Sequence, residues 1–431
     1  MSSSRAGTLE SVCTLIADCP HSTPRWTDSG FLVIRNQNIK NGKLDLSERS
    51  YTDREHYQIR VRRAKPQFGD LIITREAPMG DVCMVPEGLE CCVGQRQVLL
   101  RPNPEKIVPR FLLYAIQSPA VQHEISWSEG TGSTVSNIRI PVLKSIKVPI
   151  PPLTEQKWIT EILGALDDRI ALLRETNVTL EAIAQALFKS WFIDFDPVRA
   201  KQQGLAPEGM DKATAALFPD GFEESELGLV PKDWPVGILS DFVVTSRNQL
   251  QPSDLHAELK YVGLEHIPRK SLGLTAWDTA GGLESAKAAF SEGDILFGKL
   301  RPYFHKVVVA PFDGVCSTDI LVCRPRLPEH DAVAAMLLSS VALIDYADRL
   351  SNGAKMPRVT WKDLAAYRIV KPPQSVVAEY NRAVLPLLEK IKANVLSAQT
   401  LATLRDTLLP RLISGQLRLP EAQAALEGAL P

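Results

Sequence analysis

Cysteine is scarce and unpatterned in this chain. Its 431 residues include seven, an odd number; none forms a Cys-x-x-Cys pair, and Cys91 and Cys92 are adjacent. Neither a disulfide framework nor a zinc site is expected, and a reduced, cytoplasmic protein is. No apolar run reaches the length of a membrane span, and the opening Met1-Ser-Ser-Ser-Arg lacks the apolar core of a secretory signal. Net charge is also nearly missing. The 49 Lys and Arg are balanced by 50 Asp and Glu, a formal charge of -1. That argues against a protein that simply coats nucleic acid, but it leaves room for local basic faces.

Catalytic signatures are missing too. There is no Gly-x-x-x-x-Gly-Lys-Ser/Thr phosphate loop, no Gly-x-Gly-x-x-Gly between a strand and a helix, and no Gly-x-Ser-x-Gly elbow. No Asn-Pro-Pro-Tyr-like tetrapeptide is present of the kind that holds a flipped base for amino methylation. The seven histidines are scattered, none paired with another at metal spacing. Gly130-Thr-Gly-Ser-Thr134 has the glycine content of a phosphate cradle, but Asn352-Gly-Ala-Lys355, its counterpart below, loses the pattern. Both read as loops before a strand, placed to touch a DNA backbone.

What is present is an internal duplication. Gly132 corresponds to Gly353, Leu143 to Leu364, Pro151-Pro152 to Pro372-Pro373, Ile170 to Ile391 and Leu187 to Leu408, all with a shift of 221. The shift holds without a gap from Gly132 to Asp194. Earlier, Gly7-Thr-Leu9 matches Gly237-Ile-Leu239 with a shift of 230, the segment starting at Leu32 matches the one starting at Lys260 with 228, and Phe68-Gly-Asp-Leu-Ile-Ile-Thr-Arg75 matches Glu292-Gly-Asp-Ile-Leu-Phe-Gly-Lys299 with 224. A drift in one direction means that the second copy is shorter at each connection while the regular elements keep register. Hydrophobic content of 45% and charged content of 23% fit a soluble globular chain long enough for two or three domains.

Within each copy the first part has a β bias. Asp70-Leu-Ile-Ile-Thr, Asp294-Ile-Leu-Phe-Gly and Lys306-Val-Val-Val-Ala310 are short apolar runs typical of buried strands. Arg110 to Ile116 and Ala332 to Leu338 read as helices on that sheet, and Lys144 to Ile150 and Ala366 to Val370 as closing strands. After each Pro-Pro pair, Thr154 and Ser375 are candidate N-caps. Apolar residues then recur in steps of four and three: Ile159, Leu163, Leu166, Ile170, Leu173, Leu180, Ala184, Leu187 and Trp191. In the second copy they are Tyr380, Val384, Leu387, Ile391, Ala398, Leu401, Leu408 and Leu412. Each helix should run about 38 residues, roughly 57 Å, ending before Pro197 and near Gly415. The simplest partner for each seam is the other; the alternative is two amphipathic helices packed on their own domains. Asn177 interrupts the first seam, either fixing the register of the pair or as a tolerated polar slip. Residues 196–229, rich in Pro and Gly, read as a linker.

Two related modules and a paired helical spacer make a binding architecture. Antiparallel helices would relate the modules by a pseudo-two-fold axis, and duplex DNA offers half-sites about 34–36 Å apart on one side. Unlike modules predict unlike half-sites. Basic stretches suit such a partner: Arg49, Arg54, Arg60, Arg62, Arg63 and Lys65, then Lys355, Arg358, Lys362, Arg368 and Lys371. Solvated surface charge is the plainer reading of each.

Several segments resemble the specificity subunits of type I restriction–modification systems. They are Gly132-Ser-Thr-Val with Ile146-Lys-Val-Pro-Ile-Pro-Pro-Leu-Thr-Glu-Gln156, Phe188-Lys-Ser-Trp-Phe-Ile-Asp-Phe195, and Leu227-Gly-Leu-Val-Pro-Lys-Asp-Trp234. The second junction departs, with Gln374-Ser-Val-Val-Ala-Glu379 in place of Leu-Thr-Glu-Gln. The resemblance implies an α/β (α+β) chain with target-recognition domains at 1–150 and 230–371. Two long antiparallel coiled-coil helices would follow them at 151–195 and 372–415, with a linker at 196–229 and a tail at 416–431. It further implies a non-catalytic subunit that binds double-stranded DNA at a bipartite asymmetric target. Such a subunit directs two methyltransferase subunits, which bind S-adenosylmethionine, to adenines. Two restriction subunits, using ATP and Mg, cut unmodified DNA. No cofactor is expected in this chain. Base reading favours Arg, Lys, Asn and Gln, which makes Arg35, Asn36, Arg75 and Arg139 candidates in the first module, and Lys299, Arg301, Lys355 and Arg358 in the second. Arg75 and Lys299 hold equivalent positions right after a strand. The rival readings are a stand-alone bipartite DNA-binding regulator or orphan specificity subunit, an enzyme with cryptic nuclease or methyltransferase activity, and a coiled-coil scaffold that never meets DNA.

Overall fold

The computed structural model describes residues 5–127, 137–351 and 356–417. The glycine-rich loop at 130–134 and its counterpart at 352–355, and with them the candidate Lys355, lie outside the described residues. Contacts divide the chain into two compact units, one holding residues up to Asp168 together with those from Leu401 onward, the other Arg169–Thr400. The division falls inside both long helices.

In the first unit an antiparallel sheet runs in the order Cys13–Asp18, Gln97–Pro102, Leu71–Thr74, Val82–Met84. Leu71–Thr74 is buried along its whole length, so its sequence is continuously apolar rather than alternating. A second sheet pairs Cys91–Val93 in parallel with Phe31–Ile34, followed by Tyr51–Thr52 and Trp26–Thr27. Leu32, Ile34, Ile72, Cys83, Cys91 and Leu99 form the core that joins them. The helix Pro109–Gln117 buries Phe111 to Ile116, and Arg5–Thr8 closes against Lys147–Ile150.

The second unit repeats this plan. Val243–Thr245, Ile320–Pro325, Ile295–Gly298 and Val307–Val309 form its antiparallel sheet, and Lys260–Val262 runs parallel to Gly314–Cys316 in the other. The duplication extends to individual bonds. Gly69 and Gly293 take positive φ (83° and 84°) at the turn into the strand, and their amides donate to Val85 and Ala310 at 3.1 and 2.9 Å. Asp70 accepts from Arg101, and Asp294 from Arg324, through two bonds each of 2.8–2.9 Å. Gly94 donates to Ile34 and Ser317 to Val262, at 2.8 and 2.9 Å. The partners correspond under shifts of 223 to 228, inside the range from 228 to 221 read in the sequence.

Each long helix has 40 residues, Leu153–Phe192 and Gln374–Ile413, with the shift of 221 preserved at both ends. Thr154 and Ser375 are not the caps: the helices start one residue earlier, and the Pro152 and Pro373 carbonyls accept the first bonds from Gln156 and Val377 at 3.0 and 3.2 Å. The start is instead secured by Gln156, fully buried, which accepts from the Val108 amide at 2.8 Å and donates to Lys106 and Pro151. At the second junction, Asn381 accepts from the Ala332 amide at 2.9 Å. The departure in sequence there leaves the helix start in place.

The two helices pair antiparallel. In the second unit the Tyr380 hydroxyl donates to the Ala184 carbonyl (2.9 Å), Asn177 Nδ2 to the Ile391 carbonyl (3.3 Å), and Asn394 Nδ2 to Asn177 Oδ1 (2.8 Å). In the first unit Arg405 donates to Asp167 at 2.7 Å. Asn177 is therefore a buried, bonded member of the seam. Beyond it the buried positions are Glu181, Ala184, Phe188 and Trp191, whereas Leu180 and Leu187 are only half-buried. In the second helix Leu388 takes the buried place expected of Leu387.

Residues 196–229 are more than a linker. They carry the helices Asp196–Gln202 and Lys212–Ala216, and Phe222–Ser225 pairs with Gly228–Pro231. Val198 and Phe218 are buried in the same core as Trp191, Phe192, Trp234 and Tyr380, with the Trp191 and Phe218 ring centroids 5.2 Å apart. Pro and Gly marked the turns correctly; the apolar residues between them decide the packing.

Candidate nucleic-acid interface

In the first unit, one edge gathers most of the candidate residues. The Arg75 carbonyl accepts from the Ile138 amide at 3.0 Å, and Glu76 bridges Asn137 in antiparallel fashion. Arg139 follows, exposed, at the start of the helix Ile140–Ser145. Asn36 Nδ2 donates to the Glu76 carbonyl and its Oδ1 accepts from Gln97 Nε2, both at 2.5 Å, so its amide is spent on holding this edge together. Arg35 is exposed beside it, its guanidinium 5.1 Å from the Trp26 ring and 3.3 Å from Ser50 Oγ. The Arg75 side chain is only 13% exposed and donates to both carboxylate oxygens of Asp18 at 3.1 and 3.0 Å.

The second unit builds the same edge. The Lys299 carbonyl accepts from Val359 at 3.1 Å, the equivalent of the Ile138–Arg75 bond, and Leu300 bridges Arg358. The Arg301 amide donates to the Pro357 carbonyl at 2.8 Å, with Arg301 in the left-handed region at φ 51°. Arg358 Nε donates to Asp319 at 2.8 Å. Lys299, Arg301 and Arg358 thus meet on one edge, as Asn36, Arg75 and Arg139 do in the first unit.

Several cations are committed elsewhere. Arg60 of the first basic stretch is buried and donates to the Val93 and Ser22 carbonyls. Arg368 pairs with Glu226, and Lys371 with Asp241 at 3.4 Å. Sequence reasoning passed over other groups at the edges. Arg96, 55% exposed, lies beside Glu76, and its carbonyl accepts from the Arg75 amide. Arg269 and Lys270 are exposed next to the turn that follows Lys299, and Lys270 donates through its amide to His305 at 2.9 Å. Burial lowers the His305 imidazole pKa against its bond to the Ser339 carbonyl, with Lys270 and Asp345 pulling in opposite directions; burial also lowers that of Lys306, Arg269 adding to it and Glu265 opposing.

Among the described residues no group of three or more His, Cys, Asp or Glu is placed to hold a metal ion, and no helix is long and apolar enough to cross a membrane. All seven cysteines are free thiols. Burial pushes those of Cys83, Cys91, Cys92 and Cys316 up to about 12, far from the range of a reactive thiolate.

Comparison with known proteins gives these edges a context. Residues 8–182 match the family model described as the type I restriction modification DNA specificity domain. The MjaIX specificity subunit of Methanocaldococcus jannaschii is 26% identical over 364 residues, covering 82% of this chain and 78% of that protein. The HindI specificity subunit of Haemophilus influenzae is also 26% identical, covering 75% and 81%. The crystal structure of a type I restriction–modification S subunit from M. genitalium shares the fold, with a TM-score of 0.53 at 15% identity over 95% of this chain and 96% of that one. Its first part thus matches the type I specificity domain, and most of its length is similar to type I restriction–modification specificity subunits.

Proposed function

We propose that this chain is the DNA-recognition subunit of a type I restriction–modification complex, each module reading one part of a bipartite, asymmetric duplex target. The observation that carries the reading is the doubled edge. The same backbone pairing sets Arg75 beside the segment that leads into Arg139 in one module and Lys299 beside Arg358 in the other. A shared frame with different side chains is what reading two unlike sequences requires. Exposed cations hold phosphates and gain affinity by releasing counterions, while Arg and Lys side chains that reach a groove distinguish base edges.

In this proposal the chemistry belongs to partners. Two methyltransferase subunits carry S-adenosylmethionine and modify adenines; two restriction subunits, with ATP and Mg, cleave DNA that lacks the modification. The chain itself binds and orients. Its near-neutral charge fits a subunit whose partners supply part of the clamp on DNA. The test is a genome-wide map of modified adenines in the native host with and without this gene. Loss of one asymmetric two-part motif is expected and gives the target directly. An unchanged map overturns the role in methylation, and co-purification then tells a stand-alone DNA-binding protein from a silent system.

A further inference from the structure

Both modules set a left-handed residue before a proline just past the candidate edge: Ala77 at φ 36° before Pro78, and Arg301 at φ 51° before Pro302. Beyond that proline the modules part. The first continues into half-buried Met79 and buried Gly80. The second makes the short turn Pro302–Phe304, closed by another left-handed residue, His305, at φ 51°. Side chains other than glycine adopt this region reluctantly, and here bonds on every side enforce it. The Arg301 amide donates to Pro357 (2.8 Å), the Lys270 amide to the His305 carbonyl (2.9 Å), and His305 Nε2 to the Ser339 carbonyl (2.8 Å).

This fixed turn holds Tyr303 with half of its surface in solvent. Its ring lies 4.6 Å from that of Phe304, and the Arg269 guanidinium lies 4.3 Å from the centre of the Phe304 ring. A rigid, water-exposed aromatic ledge is thus flanked by Arg269 and Lys270. Exposed aromatic rings that are ordered in advance, next to cations, are suited to packing against bases while the cations hold the flanking phosphates.

On the DNA-recognition reading above, we propose that Tyr303 is a base-contacting residue of the second module, its ring packing on a base at a step it partly unstacks. Arg269 and Lys270 grip the adjoining backbone. The first module has no aromatic residue at the matching position, so the distortion falls on one half of the target only.

The test uses the full chain assembled with its methyltransferase subunits, titrated with duplexes that contain the mapped target, a scrambled sequence, or 2-aminopurine at single positions of either half. Tyr303→Ala is expected to weaken target binding about 5- to 150-fold, with the salt dependence unchanged. It should also abolish a 2-aminopurine fluorescence rise confined to one half-site. Tyr303→Phe keeps the ring and should keep both. Arg269→Ala should weaken target and scrambled duplex alike and lower the slope of log K against log salt by about one. Wild-type affinity in Tyr303→Ala, or equal losses on target and scrambled DNA, overturns the proposal while leaving the recognition reading intact. A wild-type complex that fails to prefer its target overturns both.

Discussion

Arg75 and Glu181 show how a charged side chain is defined by what reaches it. Arg75 donates to both oxygens of Asp18 and is nearly covered, so Arg75→Ala leaves a sheltered carboxylate without its cation. We expect a loss of about 1–3 kcal/mol in denaturant unfolding, with DNA affinity reduced and assembly with the methyltransferase retained. Exposed Arg96 gives the contrast: Arg96→Ala should weaken DNA binding and leave stability within about 0.5 kcal/mol. Glu181 is buried on the first long helix and accepts from Ser271 Oγ and the Gly273 amide at 2.9 and 3.2 Å. Burial raises its pKa, against the pull of those bonds. A carboxyl whose folded pKa is raised contributes stability that is full below its unfolded pKa and is lost as pH rises through the folded one. Glu181→Gln keeps an acceptor oxygen without the charge. It should flatten the fall in stability between acidic and neutral pH and match or exceed the native chain at pH 7; a less stable Gln variant at pH 7 would refute this. Neither partner was visible in the sequence. Asp18 lies 57 positions from Arg75 and the Ser271 loop 90 from Glu181, and helical carboxylates usually face water.

At the scale of elements, the seam from Ile159 to Leu173 could be read directly because its apolar steps of four and three are unbroken. Past Asn177 the buried line moves to Glu181 and Phe188; the chain carries apolar residues on both candidate lines there, so spacing alone does not choose. The Asn177–Asn394 pair is a polar bond inside an apolar seam. Asn177→Leu alone leaves Asn394 buried without its partner, and should cost about 1–3 kcal/mol. Changing both to Leu should restore or exceed native stability while loosening the register, since a buried Asn pair selects one alignment. Equilibrium unfolding of the single and double variants measures the first effect, and disulfide trapping between cysteines placed one turn apart on the two helices measures the second.

Across the whole molecule, the duplication was legible because insertions fall at connections and the long helices tolerate none. The packing of residues 196–229 was not, because turn residues announce bends and are silent about what the apolar residues between them meet. Phe218→Ala, in the core shared with Trp191 and Trp234, should cost about 3–5 kcal/mol by denaturation, a penalty no free linker would show. Changes at Arg35 or Arg139 should alter the base requirement in one part of the target, and changes at Lys299 or Arg358 in the other, read from the methylated motif of each variant. The asparagine pair has a consequence for molecules that share a cell. Under the shift of 221, the residue equivalent to Asn394 is Leu173. Two identical first helices, brought together antiparallel in the native register, would set each Asn177 against a leucine and leave two amide oxygens without their donors. Fragments carrying one module, or chains exchanging helices with their neighbours, are therefore penalised, and each copy of the protein is steered to close upon itself.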